Sequence, residues 1–261
     1  MEAVSPGFSW SRAARPRFLA SVTSAAEADI AAAAGADVID AKNAADGALG
    51  ALPVAAVRDI RRVLPPGLTL SATTGNLTID QPDAILAQVA AMSAAGADLV
   101  KVGFFPPGDG LEFLAHLTRS PVASGRRVAV LLADRDPDVS LIARLPAAGF
   151  VGVMLDTADK RSGALTDVAT RAQLQSFVAA ARAAHMFVGL AGALRLRHIP
   201  EIAELDPDII GFRGALCSGN ERERGIDRDS VLAVRRAIGA VSGDRFARDK
   251  TIGARDKMTG R

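Results

Sequence analysis

The stretch AAAAGADVIDAKN, residues 31–43, decides how this chain reads. Its alanines suit the end of a helix, Gly35 suits the residue that closes one, and an apolar run then leads to Asp40 and Lys42. The arrangement returns in SAAGADLVKVG (93–103) and PAAGFVGVMLDT (146–157), and LDPDIIGFRGAL (205–216) echoes its strand half. A helix, a glycine, a strand and a polar end make up the unit that crosses over a sheet and returns parallel.

Working outward from these four copies, strands are expected at 17–22, 36–42, 68–74, 98–103, 127–133, 151–156, 187–193 and 208–213. Successive strands lie roughly 25 to 35 residues apart, the length a crossover helix needs. Apolar residues fall at helical spacing in 82–95, 170–184 and 229–240. An open doubly wound sheet would want fewer strands and a glycine-rich phosphate turn after the first, and none follows RFLASV (17–22). The expectation is an α/β fold, a single-domain TIM (β/α)8 barrel with parallel strands over 17–240. Residues 1–16 form an N-terminal extension in this reading. Residues 241–261 lose apolar periodicity, alternate in charge, and read as an exposed tail prone to disorder.

Composition narrows the function classes. With 261 residues, 49% hydrophobic and 23% charged, the chain buries a large core as one domain. Its apolar runs reach only about 8 to 10 residues, short of the roughly 20 that span a bilayer, so no membrane is expected. No secretory signal is legible at the N-terminus, and one cysteine forms no internal disulfide, which points to the cytoplasm. A net charge of +2 without basic patches interleaved with aromatics argues against nucleic acid as a partner. Alanine-rich helix faces leave room for a homo-oligomer without fixing its symmetry.

The chemistry is expected where strands leave the core. Side chains alternate along a barrel strand, and active sites form at the C-terminal mouth. Asp40 and Lys42 therefore point inward together, joined by Lys101, by Ser71 and Thr73, by Asp134 and Asp156, and by Lys160 beyond the sixth strand. Crowded cations and carboxylates shift proton affinities, and a lysine that sheds its proton serves as nucleophile or base. The aspartates read equally as partners that hold the lysines. A magnesium site fits less well, because three lysines compete for the same oxygens, and only three histidines argue against zinc. Gly192, Ala193, Arg213 and Gly214 lie where loops after the seventh and eighth strands often bind phosphate, Arg213 adding a fork of donors. His116, His185 and His198 fall in helical segments and read as solvated or capping residues; Cys217 reads as a buried filler.

The strings IDAKNAADGALG, LSATTGN, GADLVKVG, MLDTADK, LAGAL and FRGALC, in that order across residues 17 to 240, resemble the (5-formylfuran-3-yl)methyl phosphate synthase family. The resemblance implies a TIM barrel that joins two molecules of glyceraldehyde 3-phosphate into a phosphorylated furan aldehyde, without a cofactor, for methanofuran-type carriers. By position it implies a Schiff-base lysine at Lys42, a proton acceptor at Lys101, and further charged site residues at Asp40, Asp156 and Lys160. Asn76 stands where an aspartate is expected, and the fifth strand lacks an aromatic before Asp134. Two other readings stay open: a Schiff-base aldolase acting on another sugar phosphate, and a non-catalytic barrel that binds a phosphorylated metabolite.

Overall fold

The computed structural model describes residues 13, 15–120, 125–159, 163–222 and 224–241. Most of the N-terminal extension, the tail beyond residue 241 and Lys160 lie outside the described residues. Eight parallel strands close into a barrel in chain order: β1 (Arg17–Val22), β2 (Val38–Ala41), β3 (Thr69–Thr73), β4 (Leu99–Gly103), β5 (Arg126–Leu132), β6 (Phe150–Asp156), β7 (Phe187–Leu190) and β8 (Ile209–Phe212). β8 pairs with β1, so no edge is left open.

Outside the strands run α1 (Ala25–Ala33), α2 (Val54–Val63), α3 (Pro82–Ala94), α4 (Gly110–Arg119), α5 (Leu165–Val168), α6 (Arg171–Ala183) and α7 (Ile199–Glu204), with α8 at 228–241. Local chemistry sets their ends. Ser24 caps α1 and Asp109 caps α4 through side-chain oxygens, and Thr170 and Gln173 form a reciprocal capping box on α6. Between β5 and β6 the crossover is a 3-10 stretch, Val139–Arg144, in place of an α-helix. None of the described helices is long and apolar enough to cross a membrane.

Alternation divides the core in two. Phe18, Ala20 and Val22 face the helices, while Leu19, Val38, Leu99, Val128, Val130, Met154, Phe187 and Ile209 fill the barrel. The Phe187 ring lies against Gly152, where a Cβ would come within 2.4 Å of it, so a large side chain is housed by a missing one.

The repeat in the sequence has a physical cause at the barrel floor. Asp37 accepts the Phe18 N–H at 2.9 Å, Asp98 that of Leu70 at 2.8 Å, and Asp208 that of Val188 at 2.8 Å. Each stands just before its strand and satisfies a donor at the start of the preceding one. An arginine braces each in turn: Arg15 on Asp37, Arg61 on Asp98 and Arg182 on Asp208. The remaining copy has Val151 at that place, and there the β5–β6 register slips between Arg127 and Val128.

Candidate active site

At the opposite end the strands deliver lysines. β2 carries Asp40 inward and Lys42 just past its end, where the Lys42 N–H still bonds to Val22 O, and β4 carries Lys101. Asp40 is fully buried and accepts Lys101 Nζ at 2.6 Å and the Ser21 hydroxyl at 2.8 Å on one oxygen, and the Ser71 hydroxyl at 2.7 Å on the other. Burial alone would drive this carboxyl towards its neutral form; the charges of Lys101 and Lys42, with the bonds from Lys101 and Ser71, outweigh it and hold the group below the usual carboxylate range. The carboxylate form of Asp40 is thus favoured, and it holds the Lys101 amine.

Lys42 is buried and its Nζ stands 4.0 Å from Asp156 Oδ2, while Asp156 Oδ1 accepts the Thr157 N–H at 2.8 Å. Lys42 and Lys101 open together onto a cavity of about 740 Å³ including its entrance. Its far wall comes from the ends of β7 and β8. Gly192, at φ +117°, packs so closely on Thr157 that a Cβ would lie 2.9 Å from that side chain. Ala193 follows in the left-handed region at φ 45°, a conformation that costs a non-glycine residue about 1 kcal/mol and is concentrated at functional sites.

Two buried lysines lie around one buried aspartate and face a glycine-walled cavity, and comparison with known proteins gives the chain a family. Residues 18–235 match the model of 4-HFC-P synthase. The chain belongs to that family. A Methylorubrum extorquens protein provisionally named (5-formylfuran-3-yl)methyl phosphate synthase is 41% identical over 227 residues, covering 87% of this chain and 93% of the relative. The (5-formylfuran-3-yl)methyl phosphate synthase of Methanocaldococcus jannaschii is 36% identical over 219 residues, covering 78% and 92%. Relatives of this name are synthases, and the chain is an enzyme. Among solved structures, phosphoribosyl anthranilate isomerase from Thermus thermophilus aligns with TM-score 0.61 at 16% identity over 86% of this chain and 99% of that one, and a 3-hexulose-6-phosphate synthase with TM-score 0.55 at 18% over 85% and 99%. These share the barrel.

Other expected site residues of this family member have different placements. Asp134 turns away from the cavity: its two oxygens accept the N–H groups of Ala158 and Asp159 at 2.7 and 2.8 Å, fixing the loop after β6. Thr73 donates to the Gly50 carbonyl at 2.9 Å and braces the loop after β2. Asn76 holds the same loop through Leu49 N–H and Asp46.

Arg213 reaches the cavity wall, but its fork is committed. Nε donates to Arg222 O at 2.9 Å, Nη1 to Glu27 at 2.6 Å and Ser21 O at 3.2 Å, and Nη2 to Glu27 at 3.2 Å and Arg224 O at 3.0 Å. Those are all five donors a guanidinium has. The expected phosphate fork is instead a clamp that ties the end of β8 to α1 and to the backbone of Arg222 and Arg224. Burial would raise the Glu27 carboxyl, but the bond from Arg213 and the Thr23 N–H hold it below its ordinary range. Burial pushes the Cys217 thiol up, in keeping with a filler. His198 accepts the Arg195 N–H at 3.1 Å, and His116 pairs with Asp83 on helix surfaces. Sequence reasoning missed Ser21, Glu27, Arg195 and Arg222. Only Arg195 carried a signal, following directly on the glycine loop LAGAL.

Proposed function

We propose that this mouth joins two molecules of glyceraldehyde 3-phosphate into (5-formylfuran-3-yl)methyl phosphate, releasing one phosphate and two waters, through an imine on Lys42. The observation that carries the reading is the pair of buried lysines beside one buried aspartate, in a chain of the synthase family. The Lys42 amine adds to the carbonyl of one substrate and expels water, forming the imine. The imine makes the adjacent C–H acidic, and Lys101, positioned at 2.6 Å by Asp40, takes that proton after first giving up its own to become a neutral amine. The resulting enamine attacks the carbonyl of the second substrate. Elimination of phosphate and loss of water close the aromatic ring, and hydrolysis returns the Lys42 amine.

Ser21 and Ser71 keep Asp40 from turning away from Lys101, and Asp156 steers Lys42. The glycine-walled side at β7 and β8 receives the phosphate that stays. The furan product is the kind of ring that methanofuran-type one-carbon carriers contain. Purified protein given glyceraldehyde 3-phosphate is expected to produce a furan aldehyde, read by its ultraviolet absorbance and mass, with one inorganic phosphate per furan. An aldol product without phosphate release would contradict the reading and favour a Schiff-base aldolase.

A further inference from the structure

The loop after β2, residues 43–50, carries an apolar side chain into the reaction site. Leu49 belongs to this loop, yet it is fully buried and packs with the side chains that fill the barrel, among them Leu19, Leu99, Val130 and Met154. It also lines the cavity beside Lys42 and Lys101. A loop leucine that walls a cavity holding charged groups shapes what enters it.

Its place is set from two sides. Lys101 and Gly103 are successive inward positions of β4, and Gly103 is the nearer to the mouth. A Cβ on Gly103 would collide with the Phe105 ring and stand 2.7 Å from Leu49 Cδ1, so both side chains fill the space this glycine leaves open, one layer above Lys101. On the other side the Asn43 N–H donates to Gly50 O at 2.8 Å, which joins the residue after Lys42 to the residue after Leu49. Leu49 thus spans the mouth side of the two lysines.

Polar neighbours hold it there. Asn76 Oδ1 accepts the Leu49 N–H at 3.3 Å, while Asn76 Nδ2 donates to Asp46 O at 3.0 Å and to Asp46 Oδ1 at 3.2 Å. This gives Asn76 a reason to stand where an aspartate is expected. An ionised aspartate could accept from Leu49, but it has no proton for Asp46 and would set a second carboxylate against it.

We propose that Leu49, seated by Asn76, is the residue that restricts imine formation to aldehydes. The assignment rests on the reading that Lys42 forms an imine with a triose phosphate. An aldehyde brings only hydrogen beside the carbon that joins Lys42. Its ketone isomer, dihydroxyacetone phosphate, brings a hydroxymethyl group, which meets the leucine wall across the two lysines. Leu49 determines specificity by touching substrate, and Asn76 is a positioning residue that acts through it.

The two isomers carry the same charge and the same phosphate, so the ratio of their capture isolates the carbonyl end. Each is incubated separately with the full chain and reduced with borohydride, and the fraction of the Lys42 peptide that gains a substrate-derived mass is followed in time, with melting curves and furan assays alongside. The unmodified protein is expected to capture the aldehyde faster by about tenfold or more. Leu49→Ala narrows that preference by about tenfold, whereas Leu49→Met, of similar volume, retains it. Asn76→Asp, at an exposed position, keeps the melt and falls between. The proposal is overturned if Leu49→Ala keeps the preference of the unmodified chain, if the unmodified chain captures ketone as readily as aldehyde, or if no lysine captures either. A full preference in Asn76→Asp would strike Asn76 from its positioning role. A preference that depends on Leu49 in a protein that makes no furan would sink the synthase reading and keep this one. Furan synthesis with an unchanged preference in Leu49→Ala would do the reverse.

Discussion

Both ends of the barrel set aspartates against cations, yet the floor uses arginine and the mouth uses lysine. At the floor, Asp37, Asp98 and Asp208 each accept a backbone N–H and face Arg15, Arg61 and Arg182. At the mouth, Asp40 accepts two hydroxyls and Lys101, with Lys42 close by. Arginine keeps its proton under all working conditions, whereas lysine gives it up when the surroundings ask. In the proposed mechanism, geometry of the same kind therefore serves stability at one end and chemistry at the other. The Arg213–Glu27 pair marks the border: it sits at the mouth but is built like the floor.

Substitutions that exchange these roles sharpen the contrast. Lys42→Ala is expected to lower kcat/KM by about 10⁴-fold or more with a cooperative melt retained, since it removes the amine to which the imine is assigned. Lys101→Arg preserves the charge opposite Asp40 but removes a group able to accept a proton, so kcat falls by about 10²- to 10⁴-fold. A near-normal kcat in that variant would erase the distinction between the two ends.

Glu27→Gln leaves Arg213 buried without its counter-charge and costs about 3 kcal/mol in denaturant unfolding. Its pH signature has a definite sign. Because Glu27, Asp37 and Asp40 all ionise below the ordinary range when folded, their contribution is complete above a pH of about 4 and is lost as pH drops through the lowered folded values. The melting temperature of Glu27→Gln should fall less steeply with acid than that of the unmodified chain. Asp208→Ala at the floor costs about 1 to 3 kcal/mol by orphaning the Val188 N–H and Arg182, with kcat and KM unchanged. A kinetic defect there would break the comparison from the other side.

Much of the barrel was legible because its signals are local. Alternation and closing glycines gave all eight strands, with ends wrong by one to three residues where loops such as that of Gly192 and Ala193 leave the ladder early. Asp40, Lys42, Lys101 and Asp156 were legible because a strand end and a period of two fix where a side chain points. What failed was long-range. Nothing near Arg213 announces that Glu27, 186 residues away, claims its fork. Thr73 ends β3 as expected, whereas Asp134, expected to end the fifth strand, lies in the 3-10 turn after β5; both side chains bond to backbone groups of a neighbouring loop. The 3-10 crossover before β6 follows a stretch rich in Asp and Pro, which favours turns over helix.

The central claim is that Lys42 forms the imine, and one trapping experiment addresses it. Protein is mixed with glyceraldehyde 3-phosphate, reduced with borohydride and digested, and peptide masses are read while free phosphate is assayed in an unreduced portion. The account predicts a substrate-derived mass on the peptide holding Lys42, absent from Lys42→Ala, with phosphate released in the unreduced portion. An adduct confined to Lys101, or no adduct on any lysine while furan still forms, would contradict it.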